Sequence, residues 1–155
     1  MSLRHTRLSF ALVILTALSL ATPAAAVKMI TNDATPSEEF EEAVSLIDED
    51  RYEDAIELLE EVAAIEPNSA DVWNLLGFSY RSIGKTERAF ASYNKALLIN
   101  PDHIGANEYL GELYLQVGDL EKAKAQLRIL ETTCVEACPQ IEQLQASIKA
   151  YEAKQ

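Results

Sequence analysis

One fixed spacing recurs along the chain and constrains its fold more than any other feature. Pro67 and Pro101 lie 34 residues apart, and each follows two apolar residues and one polar residue. We call this spacing of 34 residues the repeat interval. The same interval aligns small, large apolar and turn residues in three copies: Ala43, Gly77 and Gly111; Leu46, Tyr80 and Tyr114; Ala55, Ala89 and Ala123; Leu59, Tyr93 and Leu127; and Asp50, Gly84 and Gly118. A period kept over three copies predicts a repeat protein in which each copy buries its apolar face against the next.

Each copy is predicted to form two helices joined by a turn, because its apolar residues recur at helical spacing. Gly77 and Gly111 fall inside these helices. A glycine there costs about 1 kcal/mol relative to alanine, so its presence indicates close helix approach rather than helix propensity. The predicted pairs are 36–48 with 52–65, 70–82 with 86–99, and 104–116 with 120–133.

The second copy resembles the tetratricopeptide-repeat (TPR) family at eight positions: Trp73, Leu76, Gly77, Tyr80, Ala89, Tyr93, Ala96 and Pro101. The third copy keeps the family residue types less completely and has Val135 in place of the proline, whereas the first has Glu39 and Glu42 at usually apolar positions. The resemblance covers residues 36 to about 133. It implies an all-α protein: a right-handed α-solenoid of three helix–turn–helix repeats at 36–69, 70–103 and 104–137, the last with a degenerate end.

A further amphipathic segment follows the third copy. Ile141, Leu144, Ile148 and Tyr151 recur at helical spacing with polar residues between them. The last repeat of a stack needs its apolar side covered, so residues 138–155 are predicted to form a capping helix. The alternative is an amphipathic helix that binds a partner.

The first 26 residues have the pattern of a signal peptide of an exported bacterial protein. Arg4 and Arg7 give a basic start, 8–20 is an apolar stretch, and Ala24-Ala25-Ala26 supplies the small residues that signal peptidase requires. We expect cleavage between Ala26 and Val27, a flexible linker at 27–35, and a periplasmic or secreted mature protein without stable membrane insertion. The alternative is an uncleaved membrane anchor.

Charge argues against a nucleic-acid partner. The formal net charge is -12, and binding a polyphosphate requires clustered lysine and arginine. Residues 38–66 contain 13 acids and one base, Arg51, so this excess lies in the first repeat. It is either a soluble outer end of the stack or an electrostatic attraction for a basic partner.

The sequence does not indicate an enzyme or a cofactor. Beyond the predicted cleavage point His103 is the only histidine, it follows Asp102 at a predicted helix start, and a solvated position beside the helix cap is expected for it. No nucleophile motif, glycine-rich phosphate loop or aspartate-rich calcium loop is present in the sequence.

The only two cysteines of the chain, Cys134 and Cys138, lie between the third repeat and the cap. In an exported chain they are predicted to form a disulfide that stabilises the start of the capping helix. The alternatives are a redox-active pair or two soft ligands for copper or zinc. A closed zinc site requires four ligands, and only His103 is available to join the thiols, so no metal site is assigned.

TPR proteins line their concave groove with the first helix of each repeat. By this resemblance the predicted groove residues are Phe40, Val44, Ile47, Asn74, Leu75, Phe78, Arg81, Glu108, Tyr109 and Glu112. Some family members hold a peptide's terminal carboxylate with lysine, asparagine and arginine. Here the corresponding positions are Phe40, Val44, Leu75, Gly105 and Tyr109, so that clamp is absent. The groove favours an apolar or aromatic segment, with a basic residue meeting Glu108 or Glu112.

Three hypotheses for function follow. The first is a periplasmic adaptor or scaffold that binds a partner polypeptide, basic or apolar in character, in its groove. The second is a thiol-based copper, zinc or redox factor that uses Cys134 and Cys138 on a repeat scaffold. The third is a structural protein that self-associates into a homo-oligomer through its repeats or its cap.

Overall fold

The computed structural model describes residues 37–135 and 137–155. These residues form seven α-helices and no strand. The helices are α1 Glu38–Asp48, α2 Tyr52–Ile65, α3 Ala70–Ser82, α4 Thr86–Ile99, α5 Ile104–Gln116, α6 Leu120–Thr133 and α7 Pro139–Glu152. The predicted all-α repeat fold is therefore confirmed. The predicted signal peptide and the linker at 27–35 lie outside the described residues.

The helix boundaries follow from local capping and turn chemistry. Ser37, Ser69 and His103 precede α1, α3 and α5, and each side chain accepts a hydrogen bond from the backbone N–H three residues later. The first helix consequently begins at Glu38, two residues after the predicted start at 36.

The two helices of each repeat are separated by turns of one kind. Asp50, Gly84 and Gly118 have φ angles of 59°, 73° and 84°, the left-handed region that glycine enters at little cost. Asp50 adopts this conformation without being glycine, and its carboxylate accepts a hydrogen bond of 2.6 Å from Tyr52 Oη. The three turn positions that the repeat interval aligns therefore share the same left-handed backbone conformation.

The first helices of successive repeats lie on one side of the stack. Along the described chain α1 packs against α3, α3 against α5 and α5 against α7, whereas the backbones of the second helices α2, α4 and α6 do not come close to one another. The inner, concave face is therefore built from α1, α3 and α5, and α2, α4 and α6 form the outer face. The chain is an all-α helical repeat solenoid.

The core divides into two clusters along this stack. The larger cluster joins the first two repeats to α5 and includes the fully buried Leu59, Leu76 and Tyr93. The smaller cluster joins the third repeat to α7 through Leu130, Leu144 and other buried residues. Helix α7 packs against both α5 and α6, so the predicted cap covers the end of the stack.

The small residues of the register mark the closest approaches between helices. Ala43, Ala55, Ala89 and Ala123 are all fully buried, as the sequence pattern implies. A Cβ atom placed on Gly77 would lie 2.5 Å from a ring carbon of Tyr93. Tyr93 belongs to α4, so this glycine allows the two helices of the second repeat to pack directly.

In the part of the chain that the structure describes, no helix is both long and apolar enough to cross a membrane.

Candidate functional site: the concave groove

The predicted groove residues all lie on the three first helices, α1, α3 and α5. Eight of them are half-buried: Phe40, Val44, Ile47, Leu75, Phe78, Arg81, Tyr109 and Glu112. Asn74 and Glu108 are buried, with 8% and 4% of their surface exposed. The first helices therefore present a continuous surface in which apolar and charged side chains are both partly accessible. We call this surface the concave groove.

The centre of the concave groove is an aromatic pair with an arginine between its members. The ring centroids of Phe78 and Tyr109 are 5.1 Å apart in a tilted arrangement. The guanidinium carbon of Arg81 lies 5.5 Å from the Phe78 centroid and 5.6 Å from that of Tyr109, within cation–π range. Arg81 Nη1 also lies 2.9 Å from Glu112 Oε2, which holds the guanidinium in this orientation. These contacts join α3 and α5 into one continuous surface.

Glu108 lies one helical turn before Glu112, on the same side of α5. Burial removes its carboxylate from water, and the nearby Glu112 carboxylate repels its charge. The two effects together raise the pKa of Glu108 to about 7, although the Arg81 guanidinium acts in the opposite direction. Within the described residues its carboxyl group has no hydrogen-bond partner. It is a buried acid without a counter-ion of its own, because Arg81 is bound to Glu112.

Asn74 occupies on α3 the position that Glu108 occupies on α5, one repeat interval earlier. Its Oδ1 atom is buried and accepts no hydrogen bond in the described part of the chain. The side chain of Asn74 reaches across to α5, where a Cβ atom on Gly105 would lie 3.2 Å from Asn74 Nδ2. The groove floor therefore carries two acceptor groups, on neighbouring helices, that nothing in the described fold uses.

Two aromatic residues near the concave groove were not predicted from sequence. Tyr52, at the start of α2, makes an edge contact with Phe78 at 6.0 Å between centroids. Tyr93 of α4 lies 6.3 Å from Tyr109, and burial raises the pKa of its hydroxyl. Both belong to second helices, so a rule that assigns the groove to first helices passes over them. Tyr52 comes two residues after Asp50, whose slot in the repeat register predicts the turn before α2.

The two cysteines lie outside the groove, between α6 and α7. Their sulfur atoms are 2.15 Å apart and their Cα atoms 6.2 Å apart. This geometry is that of a disulfide, and the oxidation state of the pair in the cell stays a prediction. No group of three or more potential metal ligands occurs within residues 37–135 and 137–155.

His103 has a different environment from the solvated one expected from sequence. Its Nδ1 accepts a hydrogen bond of 3.1 Å from the Ala106 N–H, and its Nε2 lies 2.9 Å from Asp71 Oδ1. Only 12% of the side chain is exposed. Because Nδ1 is an acceptor, the proton lies on Nε2 and is donated to Asp71. His103 therefore joins the second repeat to the third, a contact that the positions of the two residues along the chain did not reveal.

The outer face carries a separate polar network. Tyr80 Oη donates to Glu60, and Arg88 Nη1 lies 3.2 Å from the same hydroxyl. Glu60 and Tyr80 also border an open cavity of about 310 Å³ between α2, α3 and α4, lined further by Trp73 and Ser92. The pKa of the Tyr80 hydroxyl is raised by burial and by its hydrogen bond to Glu60. Glu60 thus links α2 to α3 and α4 through Tyr80 and Arg88, although its side chain remains exposed.

Comparison with known proteins identifies the repeat. Residues 70–103 match the family model described as tetratricopeptide repeat. An uncharacterized protein, ycf37, of Pyropia yezoensis is 41% identical over 56 residues, which is 36% of this chain and 32% of that protein. The chain spans about a third or less of the length of the curated relatives that it matches.

Solved structures of repeat proteins have the same fold. The type III secretion chaperone SycD of Yersinia enterocolitica, in complex with a peptide of the translocator YopD, has a TM-score of 0.66 and 18% identity, and the match covers 75% of this chain and 91% of that one. The second TPR domain of human RPAP3, in complex with an HSP70 peptide, has a TM-score of 0.64 and 22% identity, with 72% and 92% covered. The chain therefore contains a tetratricopeptide repeat at residues 70–103 and has the helical-repeat fold of these structures.

Proposed function

We propose that this protein is a non-catalytic adaptor that binds a segment of a partner polypeptide in its concave groove. The observation that carries this proposal is the accessible aromatic pair Phe78–Tyr109, held in place by Arg81 at the centre of the groove. Aromatic and arginine side chains that are fixed before binding contribute much of the affinity in protein interfaces. Two proteins of similar fold have been solved with peptides bound, which supports the same use of the fold here.

The proposed partner segment is apolar or aromatic, with a basic residue toward the third repeat. The end of the groove in α1 offers Phe40, Val44 and Ile47, whereas the end in α5 offers Glu108 and Glu112. The acidic first repeat adds long-range attraction for a basic partner, which increases association rate more than final affinity.

We also propose that the adaptor works in the periplasm or outside the cell after cleavage between Ala26 and Val27. This proposal rests on the basic, apolar and small-residue order of residues 1–26. Mass spectrometry of the protein recovered from a periplasmic fraction tests it. An N-terminus at Val27 is expected, and a protein that retains residues 8–20 would contradict it.

Photo-cross-linking in the producing cell tests the groove. A benzoylphenylalanine at Val44, at the rim of the concave groove, should yield one defined adduct, and the same probe at Glu57 on α2 should not. Phe78→Ala combined with Tyr109→Ala should abolish the adduct, because both anchors are lost. If the adduct forms equally from the two positions, or survives the double substitution, the groove proposal is wrong.

A matched aromatic pair provides the control for this test. Phe90 and Tyr114 have ring centroids 5.2 Å apart, but they lie between α4 and α5 rather than on the concave side. Phe90→Leu with Tyr114→Leu removes a comparable aromatic contact and should leave the adduct intact. Circular dichroism of all variants checks that helicity is retained.

A further inference from the structure

The two rows of side chains along the concave groove change character from the first repeat to the third. Members of a row are separated by one repeat interval: the first row is Phe40, Asn74 and Glu108, and the second is Val44, Phe78 and Glu112. Both rows begin apolar and end acidic. An elongated ligand that lies along the groove therefore meets apolar side chains at one end and carboxylates at the other.

The acidic end has one carboxylate more than the fold neutralises. Glu112 is paired with Arg81 at 2.9 Å and also receives a weak hydrogen bond from Ser147 at 3.5 Å. Glu108, with 4% of its surface exposed, has neither an ion pair nor a hydrogen bond among the described residues. A buried acid of this kind is normally paired or bound to a ligand. Unlike Asn74 Oδ1, its carboxylate oxygens are not fully enclosed, so a cation from outside the fold can reach them.

A second buried acceptor lies one repeat interval before Glu108, on α3. Asn74 Oδ1 is unpartnered among the described residues and lies on the neighbouring helix, in the row that contains Glu108. The absence of a side chain at Gly105 leaves the two helices close enough for the Asn74 side chain to reach α5. One ammonium or guanidinium group has the three or more donors needed to satisfy a carboxylate and an amide oxygen together.

We propose that the concave groove recognises a basic side chain, lysine or arginine, of the bound peptide, with Glu108 as the ionic partner and Asn74 Oδ1 as a second acceptor. This inference rests on the proposed function, since it specifies what the groove binds. Burial and Glu112 raise the pKa of Glu108 to about 7, so the carboxyl group is partly protonated near neutral pH, and an arriving cation shifts it to the ionised form.

The geometry also sets the position of the basic residue relative to the apolar anchor. Neighbouring packed helices lie about 8–10 Å apart, and an extended peptide advances about 3.3 Å per residue. An anchor over Phe78 on α3 and a cation at Glu108 on α5 are therefore separated by about three residues of peptide. Shorter and longer separations should bind more weakly.

Synthetic peptides test this proposal with the full protein purified from the cells that express it. Nine-residue peptides carry one phenylalanine and, two, three or four positions away on either side, lysine, arginine, norleucine or glutamate. Dissociation constants are measured by fluorescence anisotropy at pH 7.5. Charge-assisted hydrogen bonds predict that lysine and arginine peptides bind about 10- to 100-fold more tightly than norleucine peptides. Glutamate peptides should bind most weakly.

Two variants separate a site at Glu108 from a general effect of charge. Glu108→Gln preserves size and removes the charge, and it should reduce the lysine-to-norleucine preference to less than about threefold. Glu121→Gln removes an exposed acid of α6 and should leave the preference unchanged. A preference of equal size in the Glu108 variant, or norleucine peptides that bind as tightly as lysine peptides, would overturn the inference.

The same peptides distinguish failure of this inference from failure of the proposed function. Binding that shows no charge preference but is lost in the Phe78→Ala, Tyr109→Ala variant would retain the groove and reject the cation site. The absence of binding by every peptide, or binding that this double variant does not weaken, would reject both.

Discussion

The second and third repeats contain the same close-packed glycine but bring different partners to it. Gly77 faces the ring of Tyr93, which belongs to the second helix of the same repeat. Gly111, one repeat interval later, faces the methyl groups of Leu144, 2.6 and 2.9 Å from the position of an added Cβ atom. Leu144 belongs to α7, outside the repeat. The side chain equivalent to Tyr93 is Leu127, which remains only half-buried.

This difference explains why the capping helix is part of the fold. In the second repeat, Tyr93 of the same repeat fills the space beside Gly77. The core of this repeat is continuous with that of the first repeat. The third repeat uses Leu144 instead, and its buried cluster contains residues of α7. Removing α7 would therefore leave a hole over Gly111 as well as an exposed apolar surface. A stack ends stably only where another element completes the last repeat.

Truncating the two side chains that face these glycines is the strongest test of the comparison. Tyr93→Ala should lower the free energy of unfolding by about 3–5 kcal/mol and Leu144→Ala by about 2–5 kcal/mol, since both side chains are fully buried. Leu127→Ala, in the register of Tyr93, should cost below about 2 kcal/mol. Chemical denaturation measures all three. A larger loss for Leu127 than for Leu144 would mean that the third repeat packs like the second.

The second and third repeats also differ in how pH affects stability, because Asn74 of the second is replaced by Glu108 at the equivalent position of the third. The pKa of Glu108 is raised from 4.5 to about 7 in the folded protein, so the folded state binds the proton more tightly than the unfolded chain. Stability should therefore fall as pH rises from about 4.5 through 7, by up to about 3 kcal/mol from this residue. Asn74 does not titrate and makes no such contribution.

Glu108→Gln isolates this effect. The variant should match the wild type at pH 4 and exceed it in stability at pH 8, because the penalty of burying a charge is gone. Glu121→Gln serves as an exposed control whose difference from wild type should stay within about 0.5 kcal/mol at both pH values. Urea melts at pH 4, 6 and 8 give the comparison. A wild type that is more stable than Glu108→Gln at pH 8 would show that the carboxylate is paired in the folded state.

Adding a methyl group to each glycine sharpens the comparison further. Gly77→Ala places a Cβ atom against a rigid ring and should cost about 2 kcal/mol through overpacking. Gly111→Ala meets the mobile ends of a leucine side chain, and the better helix propensity of alanine offsets part of the strain, so about 1 kcal/mol is expected. Adding Leu144→Val to Gly111→Ala should recover part of that loss. Equal costs at the two glycines would contradict the difference in packing.

The last expected effect concerns the connection between the third repeat and its cap. If Cys134 and Cys138 form the predicted disulfide, closing so short a loop contributes about 2 kcal/mol or less. Cys134→Ser with Cys138→Ser should lower the stability of the oxidised protein by that amount and remove any response to dithiothreitol. Oxidised wild type that is insensitive to dithiothreitol, and no more stable than the double variant, would leave the cysteines without a structural role.

The helix on which each groove residue lies could be predicted from the repeat interval. The hydrogen bonds and neighbours of those residues could not. The ten predicted residues lie on first helices as expected, because their positions depend only on helical period and repeat length. The missing hydrogen bonds of Asn74 and Glu108 depend on which side chains approach from neighbouring helices. The position of Tyr52 beside Phe78 depends on the direction in which α2 leaves the turn. Neither the missing hydrogen bonds nor the position of Tyr52 can be predicted from spacing along the chain.

The sequence by itself determined the elements of this protein. The repeat interval, the apolar period within each copy and the stripe on α7 were sufficient to predict seven helices and their order, since each of these signals is local. The tertiary structure alone decided which partner each helix uses. Leu144 rather than Leu127 packs against Gly111, and His103 bridges to Asp71. The physical reason is that helices compete for the same small-residue contact, and three-dimensional packing selects the side chain that fills it.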